Sequence, residues 1–450
     1  MAKTITLIAV GTRGDTQPYV ALGRALTARG YLVRLAANKS YAGLVTGAGL
    51  EHIPLGVDPQ LLLSGPEGQE LLSKGHRPLR FLRGLKKLVA PVIDDYFAEL
   101  EAAGEGADAV VYSTMGFMGS CAAERDGRPT LHAQLQPMEP TREFPVFGGE
   151  RSFGKLGNRL SYTAFEQVAW HLAREATNRG RSERIGLDPI GRRGAFHYLR
   201  DAEVPVLAAF SPTLVPRPMG WKRHVHITGF WFHDAPDDYR PSPELAAFLA
   251  AGPPPVYVGF GSMVPPEGMA ETVREGVRRA GVRAIILGDP REQPSDDQFH
   301  VVSDVPHNWL FPRVAAVVHH GGAGTTAAGL RAGAPTIICP FISDQPFWGA
   351  RVHAIGAGPA PLLARKLTAE DLGEAIRAAV ADPAMRESAA AAGRMIKAER
   401  GADVAADVIE DTMGAGSGWG PPSAPAKRPR RVRRIRIRRP RLRSLSLRRS

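Results

Sequence analysis

Short apolar runs rich in valine, isoleucine and leucine alternate along the chain with stretches whose apolar positions recur at helical spacing. In the first half, Thr4–Val10, Tyr31–Ala36, Ala109–Ser113 and Thr130–Gln136 read as buried strands. Val256–Gly261, Ala284–Leu287, His300–Val302, Ala315–His319 and Thr336–Cys339 do so in the second. Helical patterns lie between them, among them Pro18–Arg29, Pro78–Ala102, Pro266–Ala280 and Thr325–Ala332. Strands alternating with helices predict parallel sheets covered on both faces. The pattern runs twice, and proline-rich stretches at Phe210–Pro218 and Pro236–Pro255 separate the two passes. The expected fold is therefore α/β, with two Rossmann-like, doubly wound domains over residues 1–210 and 246–412. A linker over 211–245 joins them, and a tail occupies 413–450. Two such domains facing across a cleft place ligands at the carboxyl ends of both sheets.

Length agrees with this division, since 450 residues exceed one ordinary core. Charge changes the picture at one end only. The formal net charge is +12, but Lys427–Ser450 holds 13 Lys and Arg and no acid, which leaves a body of about −1. That tail, poor in apolar residues, is expected to be disordered. Val432, Ile435, Ile437, Leu442, Leu445 and Leu447 interleave with its arginines. An anionic-membrane or nucleic-acid binder working through the tail is thus one reading, and a solvated, idle extension is the other. No run of about 18 apolar residues exists, so no membrane-spanning helix is expected. The amino-terminal apolar run reads as a first strand rather than a leader, because Arg13 and Asp15 interrupt it. Cys121 and Cys339 sit far apart beside apolar runs and read as two inert thiols in a reducing cytoplasm. The aromatic-rich region 140–200 fits the sheet pattern poorly. It reads either as helices over an acceptor pocket or as a helical lid on the core.

Four corners carry candidate chemistry. In VGTRGDTQPYVALG, from Val10, a strand meets a glycine turn and a helix is expected around Pro18. Asp15 then sits at a strand-to-helix corner, where its carboxylate either accepts a proton from an attacking hydroxyl or merely caps the helix. In VVHHGGAGTTAAG, from Val317, an apolar strand runs into His319, His320 and a glycine loop before a helix near Thr325. Glycines admit a ligand close to the backbone, the helix N-terminus favours phosphate, and an imidazole can donate to a diphosphate oxygen. A tight turn with a structural histidine pair is the alternative. No lysine follows the glycines, so this is not a P-loop, and adjacent histidines point apart, so no metal site is expected. In PFISDQPFWGARV, from Pro340, Asp344 and Gln345 emerge at the rim shared with His320, to grip vicinal hydroxyls or to cap a helix. In VYVGFGSM, from Val256, Ser262 leaves a strand at a glycine corner, as a phosphate contact or a plain strand end.

These motifs together resemble the sterol 3β-glucosyltransferases and the related antibiotic glycosyltransferases. GTRGDTQP at 11–18 is similar to their amino-terminal loop, FSPTLVPRPMGWKRHVHITGFWFHD at 210–234 to their interdomain segment, and residues 305–352 to their donor-binding region. The resemblance spans about residues 4–400. It implies a GT-B architecture and an inverting, metal-independent hexosyltransferase without a cofactor. Such an enzyme moves a sugar from a UDP- or TDP-sugar to a hydroxyl of a bulky apolar acceptor such as a sterol, terpenoid or polyketide aglycone. It also implies that Asp15 is the base on the acceptor hydroxyl. Thr12 and Arg13 would lie near the donor, Ser262 near the phosphates, and Val305 and His307 beside the nucleotide base. His320, rather than His319, would meet the diphosphate, with Ala323, Gly324 and Thr325 offering backbone donors. Asp344 and Gln345 would hold the sugar hydroxyls. Expected partners are the small-molecule donor and acceptor and no specific nucleic acid. The expected location is the cytoplasm, with peripheral membrane contact through the acceptor or the tail left open. A nucleotide-sugar epimerase on the same fold is the alternative enzyme.

Overall fold

The computed structural model describes residues 2–56, 84, 87–88, 90–149, 152–236, 238–261, 263, 266–291 and 295–414. Two parallel sheets organise them. The first contains β1 (Thr4–Ile8), β2 (Leu32–Asn38), β3 (Glu51–Leu55), β4 (Ala109–Ser113), β5 (Thr130–Gln134), β6 (Val206–Ala208) and β7 (Val225–Ile227), in the order β3-β2-β1-β4-β5-β6-β7. The second contains β8 (Val256–Gly259), β9 (Ala284–Leu287), β10 (Phe299–Val302), β11 (Ala316–His319) and β12 (Thr336–Ile338), in the order β10-β9-β8-β11-β12. The strand order reverses between β1 and β4 and again between β8 and β11. These reversals open a crevice at the carboxyl ends of each sheet. The β1–β4 register pairs Ile8 with Tyr112, and the β8–β11 register pairs His319 with Gly259. The loops after β1 and β11 therefore leave at these reversals.

The helices used below are α1 (Arg13–Thr27), α2 (Ile93–Gly104), α3 (Gly154–Arg179), α4 (Met269–Ala280), α5 (Ala323–Ala332), α6 (Gln345–Ala354), α7 (Ala369–Ala381), α8 (Pro383–Ala398) and α9 (Gly401–Gly414). The central strands β1 and β4 are almost wholly buried because α1 and α2 pack on opposite faces of the first sheet. Ile5 and Leu7 meet Tyr19, Val20 and Leu22 of α1, while Ile8 and Val110 meet Phe97 and Leu100 of α2. The second sheet is closed on one face by α4 and α7, through Val273, Val277, Leu372 and Ile376.

Three features depart from the sequence expectation. First, α1 begins at Arg13 rather than near Pro18. Thr12 and Asp15 cap it, so proline lies one turn inside, where its missing N–H costs one helical bond. Second, β3, β6 and β7 were not anticipated, and β7 falls within the expected linker 211–245 yet completes the first sheet. Third, α9 returns to the first domain. Ala405, Ala406 and Ile409 join its core, and Arg29 of α1 pairs with Asp407 at 2.7 Å and Glu410 at 2.6 Å. The end of the segment assigned to the second domain, 246–412, therefore packs on the first.

An apolar cluster joins the halves. Phe210, Val225 and Phe230 pack with Leu330, Phe347 and Trp348, and the Phe210 and Trp348 rings stand 6.3 Å apart. Of the region expected to be helical over 140–200, α3 and a short helix at Ala195–Asp201 are helical. Among the described residues, no helix is long and apolar enough to cross a membrane.

Candidate active site

Asp15 stands in the first turn of α1, at the mouth of the first crevice. Thr12 donates to its Oδ2 twice, through the backbone N–H at 2.7 Å and through Oγ1 at 2.9 Å. These bonds fix the carboxylate through one oxygen. Gly11 makes the placement feasible. Its φ is +140°, and a Cβ there would lie 2.3 Å from Asp15 Oδ2. Burial raises the Asp15 pKa, and the two Thr12 hydrogen bonds oppose the rise. The capping reading of Asp15 is thus the observed geometry, and the carboxylate stays half-buried, which leaves the base reading open.

The loop after β11 forms the facing wall. His319 is fully buried and its Nδ1 accepts the Gly321 N–H at 3.0 Å, so this histidine shapes the turn. His320 is the one that reaches the loop surface. A Cβ on Gly322 would lie 2.5 Å from its Nε2, so the glycine leaves room for the ring. Its Nδ1 has no partner among the described residues. Burial holds its pKa down to about 4, which leaves a neutral imidazole with one N–H to donate. Gly322 caps α5, so the N–H groups of Ala323, Gly324 and Thr325 are the first of the helix and have no carbonyl within it. Nothing stands within 4 Å of the Cβ position at Gly324, so this helix end is open to a ligand.

Asp344 and Gln345 leave β12 at the same rim. Asp344 stands at the N-cap position of α6 without capping it by its side chain, and its Oδ2 instead accepts from Trp348 Nε1 at 2.7 Å. Ser343, immediately before it, has φ +59°, a left-handed conformation uncommon for a residue with a side chain and often found at ligand sites. Burial pushes the Asp344 pKa up to about 6, and the negative charge of Asp15 adds to the rise. Gln345 is more constrained than expected. Its Oε1 accepts from the Phe341 and Ile342 N–H groups, and its Nε2 reaches Met263 Sδ at 3.4 Å. It holds the turn that presents Asp344.

Val305 is buried at the end of β10, and His307 stacks on Phe311 with ring centroids 4.3 Å apart. Burial, Arg13 and His320 hold the His307 pKa down to about 4. Arg13 crosses the gap and pairs with Asp304 at 3.5 Å, though both side chains are mostly exposed. Arg13 thus meets Asp304, next to the buried Val305, across the gap, and the charges of Arg13 and His320 bear on His307. Ser262 lies outside the described residues. Sequence reasoning missed Gly11, Asp304 and Trp348. Trp348 was readable, being four residues beyond an aspartate at the N-cap position and so on its side of the helix. Asp304 meets Arg13 only through the tertiary fold. Among the described residues, no group of three or more His, Cys, Asp or Glu could hold a metal ion.

Comparison with known proteins identifies the family of the chain. The glycosyltransferase family 28 N-terminal domain matches residues 5–145, and the erythromycin biosynthesis protein CIII-like C-terminal domain matches residues 289–410. O-mycaminosyltylonolide 6-deoxyallosyltransferase of Streptomyces fradiae is 38% identical over 418 residues, covering 90% of this chain and 97% of that relative. The chain belongs to the glycosyltransferases. Sterol 3-beta-glucosyltransferase UGT80A2 of Arabidopsis thaliana is 36% identical over 88% of this glycosyltransferase, which spans 63% of the plant protein. A Cryptococcus neoformans sterol 3-beta-glucosyltransferase is 35% identical over 90% of it, and there the shared part is 27% of the relative. The glycosyltransferases of kitacinnamycin and calicheamicin share its fold, each with a TM-score of 0.65 over 92% of the chain, at 20% and 19% identity. The two parallel-sheet domains thus have the GT-B architecture. Because these matches are to transferases, the epimerase alternative has no support.

Proposed function

We propose that this hexosyltransferase moves a sugar from a nucleoside diphosphate donor to the hydroxyl of a bulky apolar acceptor, inverting the anomeric carbon without a metal. The observation that carries the reading is the meeting of the two domains at Arg13, two residues before Asp15, and Asp304 at 3.5 Å, with the α5 N-terminus of the second domain open to a ligand. The acceptor hydroxyl lies against Asp15 and attacks the anomeric carbon from the face opposite the diphosphate. Its oxygen forms the new bond, its proton passes to Asp15, and the diphosphate leaves with the electron pair of the broken bond. The growing negative charge meets the N–H groups of Ala323, Gly324 and Thr325, the α5 dipole and the neutral His320. These groups supply the stabilisation that a cation supplies elsewhere. Asp344 holds the sugar hydroxyls from a turn that Gln345 secures, and Val305 and His307 flank the base. Ser262, just beyond β8, is a proposed phosphate contact.

The relatives support the acceptor class, since their names specify a tylonolide and sterols. Two structures of the same fold were solved with thymidine diphosphate, which supports the donor class. The free, buried thiols Cys121 and Cys339 support a reducing, cytoplasmic location. The test is a mass-spectrometric screen of UDP- and TDP-hexoses against apolar alcohols, run in EDTA. One hexosyl addition to an alcohol is expected. Donor epimerisation, hydrolysis without transfer, or transfer that EDTA abolishes would contradict the reading.

A further inference from the structure

Asp344 occupies the N-cap position of α6, where an aspartate ordinarily accepts from the backbone N–H groups of the first turn. Its side chain makes no such bond. Its Oδ2 accepts instead from Trp348 Nε1 at 2.7 Å, four residues along the same side of the helix. Trp348 is fully buried, and a buried indole N–H needs an acceptor. The aromatic rings around it cannot provide one. Its ring lies 6.3 Å from that of Phe210, 6.1 Å from that of Phe230 and 5.2 Å from that of Phe347. Phe210 follows β6 and Phe230 follows β7, so the first domain builds much of the seat that holds this indole of the second.

The carboxylate is thereby fixed but not covered, since Asp344 stays partly exposed. It stands on a turn in which Ser343 has φ +59°. A Cβ on Gly321 would lie 3.0 Å from the Gln345 carbonyl oxygen, so this turn abuts the loop that carries His320. We propose that Trp348 is a positioning residue for the donor sugar: its indole N–H fixes the Asp344 carboxylate toward the sugar hydroxyls, and the seat shared by both domains fixes the indole. The inference rests on the reading of Asp344 as the group that holds those hydroxyls. A charge-assisted bond to one oxygen sets the plane of a carboxylate, and recognition of neighbouring hydroxyls depends on that plane. The same bond favours the ionised form against burial, which pushes the Asp344 pKa up to about 6. The ionised form accepts hydrogen bonds and donates none, which suits hydroxyl donors.

The test is a double-mutant cycle in the full chain, read as binding by calorimetry. Trp348→Phe keeps an aromatic ring in the seat and removes the N–H, and Asp344→Ala removes its acceptor. UDP-glucose and TDP-glucose report the sugar contact, while UDP and TDP report the rest of the donor site. Trp348→Phe is expected to weaken both sugar nucleotides about tenfold, the scale of one hydrogen bond to a charged group, with UDP and TDP within about twofold of wild type. In the Asp344→Ala background it is expected to add nothing. Equal losses on sugar nucleotides and bare diphosphates would overturn the proposal and leave Trp348 as packing. So would a loss that persists without the Asp344 carboxylate. Should Trp348→Phe fail to fold by its melting curve, magnetic resonance of wild-type protein with isotope-labelled indoles answers the same question. The indole N–H resonance that Asp344→Asn displaces is expected to move with UDP-glucose or TDP-glucose and to stay put with UDP and TDP. Identical responses to both kinds of ligand would overturn the proposal. Absence of hexosyl transfer in the acceptor screen would sink the proposed function alone, because both arms here read binding.

Discussion

Gly11 and Asp15 illustrate how little freedom the chemistry leaves at the scale of one residue. The carboxylate is oriented by two donors from Thr12, and the space beside it exists because Gly11 has no side chain. Gly11→Ala should therefore displace Asp15 and lower turnover about 100-fold, the size of a lost general base, while nucleoside diphosphate affinity stays put. Equal losses in both would show that the change unfolds the loop. Asp344 carries a pH dependence of its own. Its pKa in the fold is about 6, above the ordinary 3.8, so the ionised form is disfavoured by folding. Stability is full while the group keeps its proton, and it declines as pH rises from about 4 through 6. Asp344→Asn retains an oxygen for Trp348 and should raise the melting temperature at pH 8, by roughly 1–3 kcal/mol of stability, but not at pH 4. A variant that is equally stabilised at both values would disprove the burial account. The positions of Asp15, His320 and Asp344 were readable because each follows an apolar run and precedes a helical pattern. The local role of Gln345 was not, since its Oε1 turns back to Phe341 and Ile342 through geometry that spacing does not encode.

At the scale of elements, the proposed function has the β11–α5 unit bind charge with backbone rather than with lysine. Its strand ends in a buried His319 that accepts from Gly321, and its helix opens with three N–H groups that have no carbonyl within it. His320 adds one neutral donor. Losing a hydrogen bond to a charged oxygen costs about 1.5–3 kcal/mol, so His320→Ala should weaken nucleoside diphosphate binding roughly 10- to 100-fold by calorimetry. Unchanged affinity would remove the imidazole from the site. The strand–helix alternation was legible for long apolar runs such as Ala109–Ser113 and Ala284–Leu287, whose bounds the structure reproduces. The three-residue β6 and β7 were not, because so short a strand has no period of its own and is set by its neighbours. The start of α1 was misplaced because a proline suggested a first turn, whereas Thr12 and Asp15 had already capped one.

At the scale of the molecule, the two domains are not beads on a linker. The cluster around Phe210 and Trp348 joins them on the hinge side, and α9 carries the chain back to the first domain. Sequence could not reveal that return, since an amphipathic helix reads the same whichever sheet it covers. Phe210 is fully buried in the shared cluster. Phe210→Ala should cost about 3–5 kcal/mol and split thermal unfolding into two calorimetric steps. A single, unshifted transition would mean that the domains do not depend on this contact. The account as a whole depends on one division of labour, in which the second domain holds the diphosphate and the first supplies the base. The most direct measurement is Asp15→Asn, assayed side by side for UDP and TDP affinity by calorimetry and for hexosyl transfer by mass spectrometry. Affinity within twofold of wild type with transfer reduced at least 100-fold is the expected result. Transfer near the wild-type rate would contradict it.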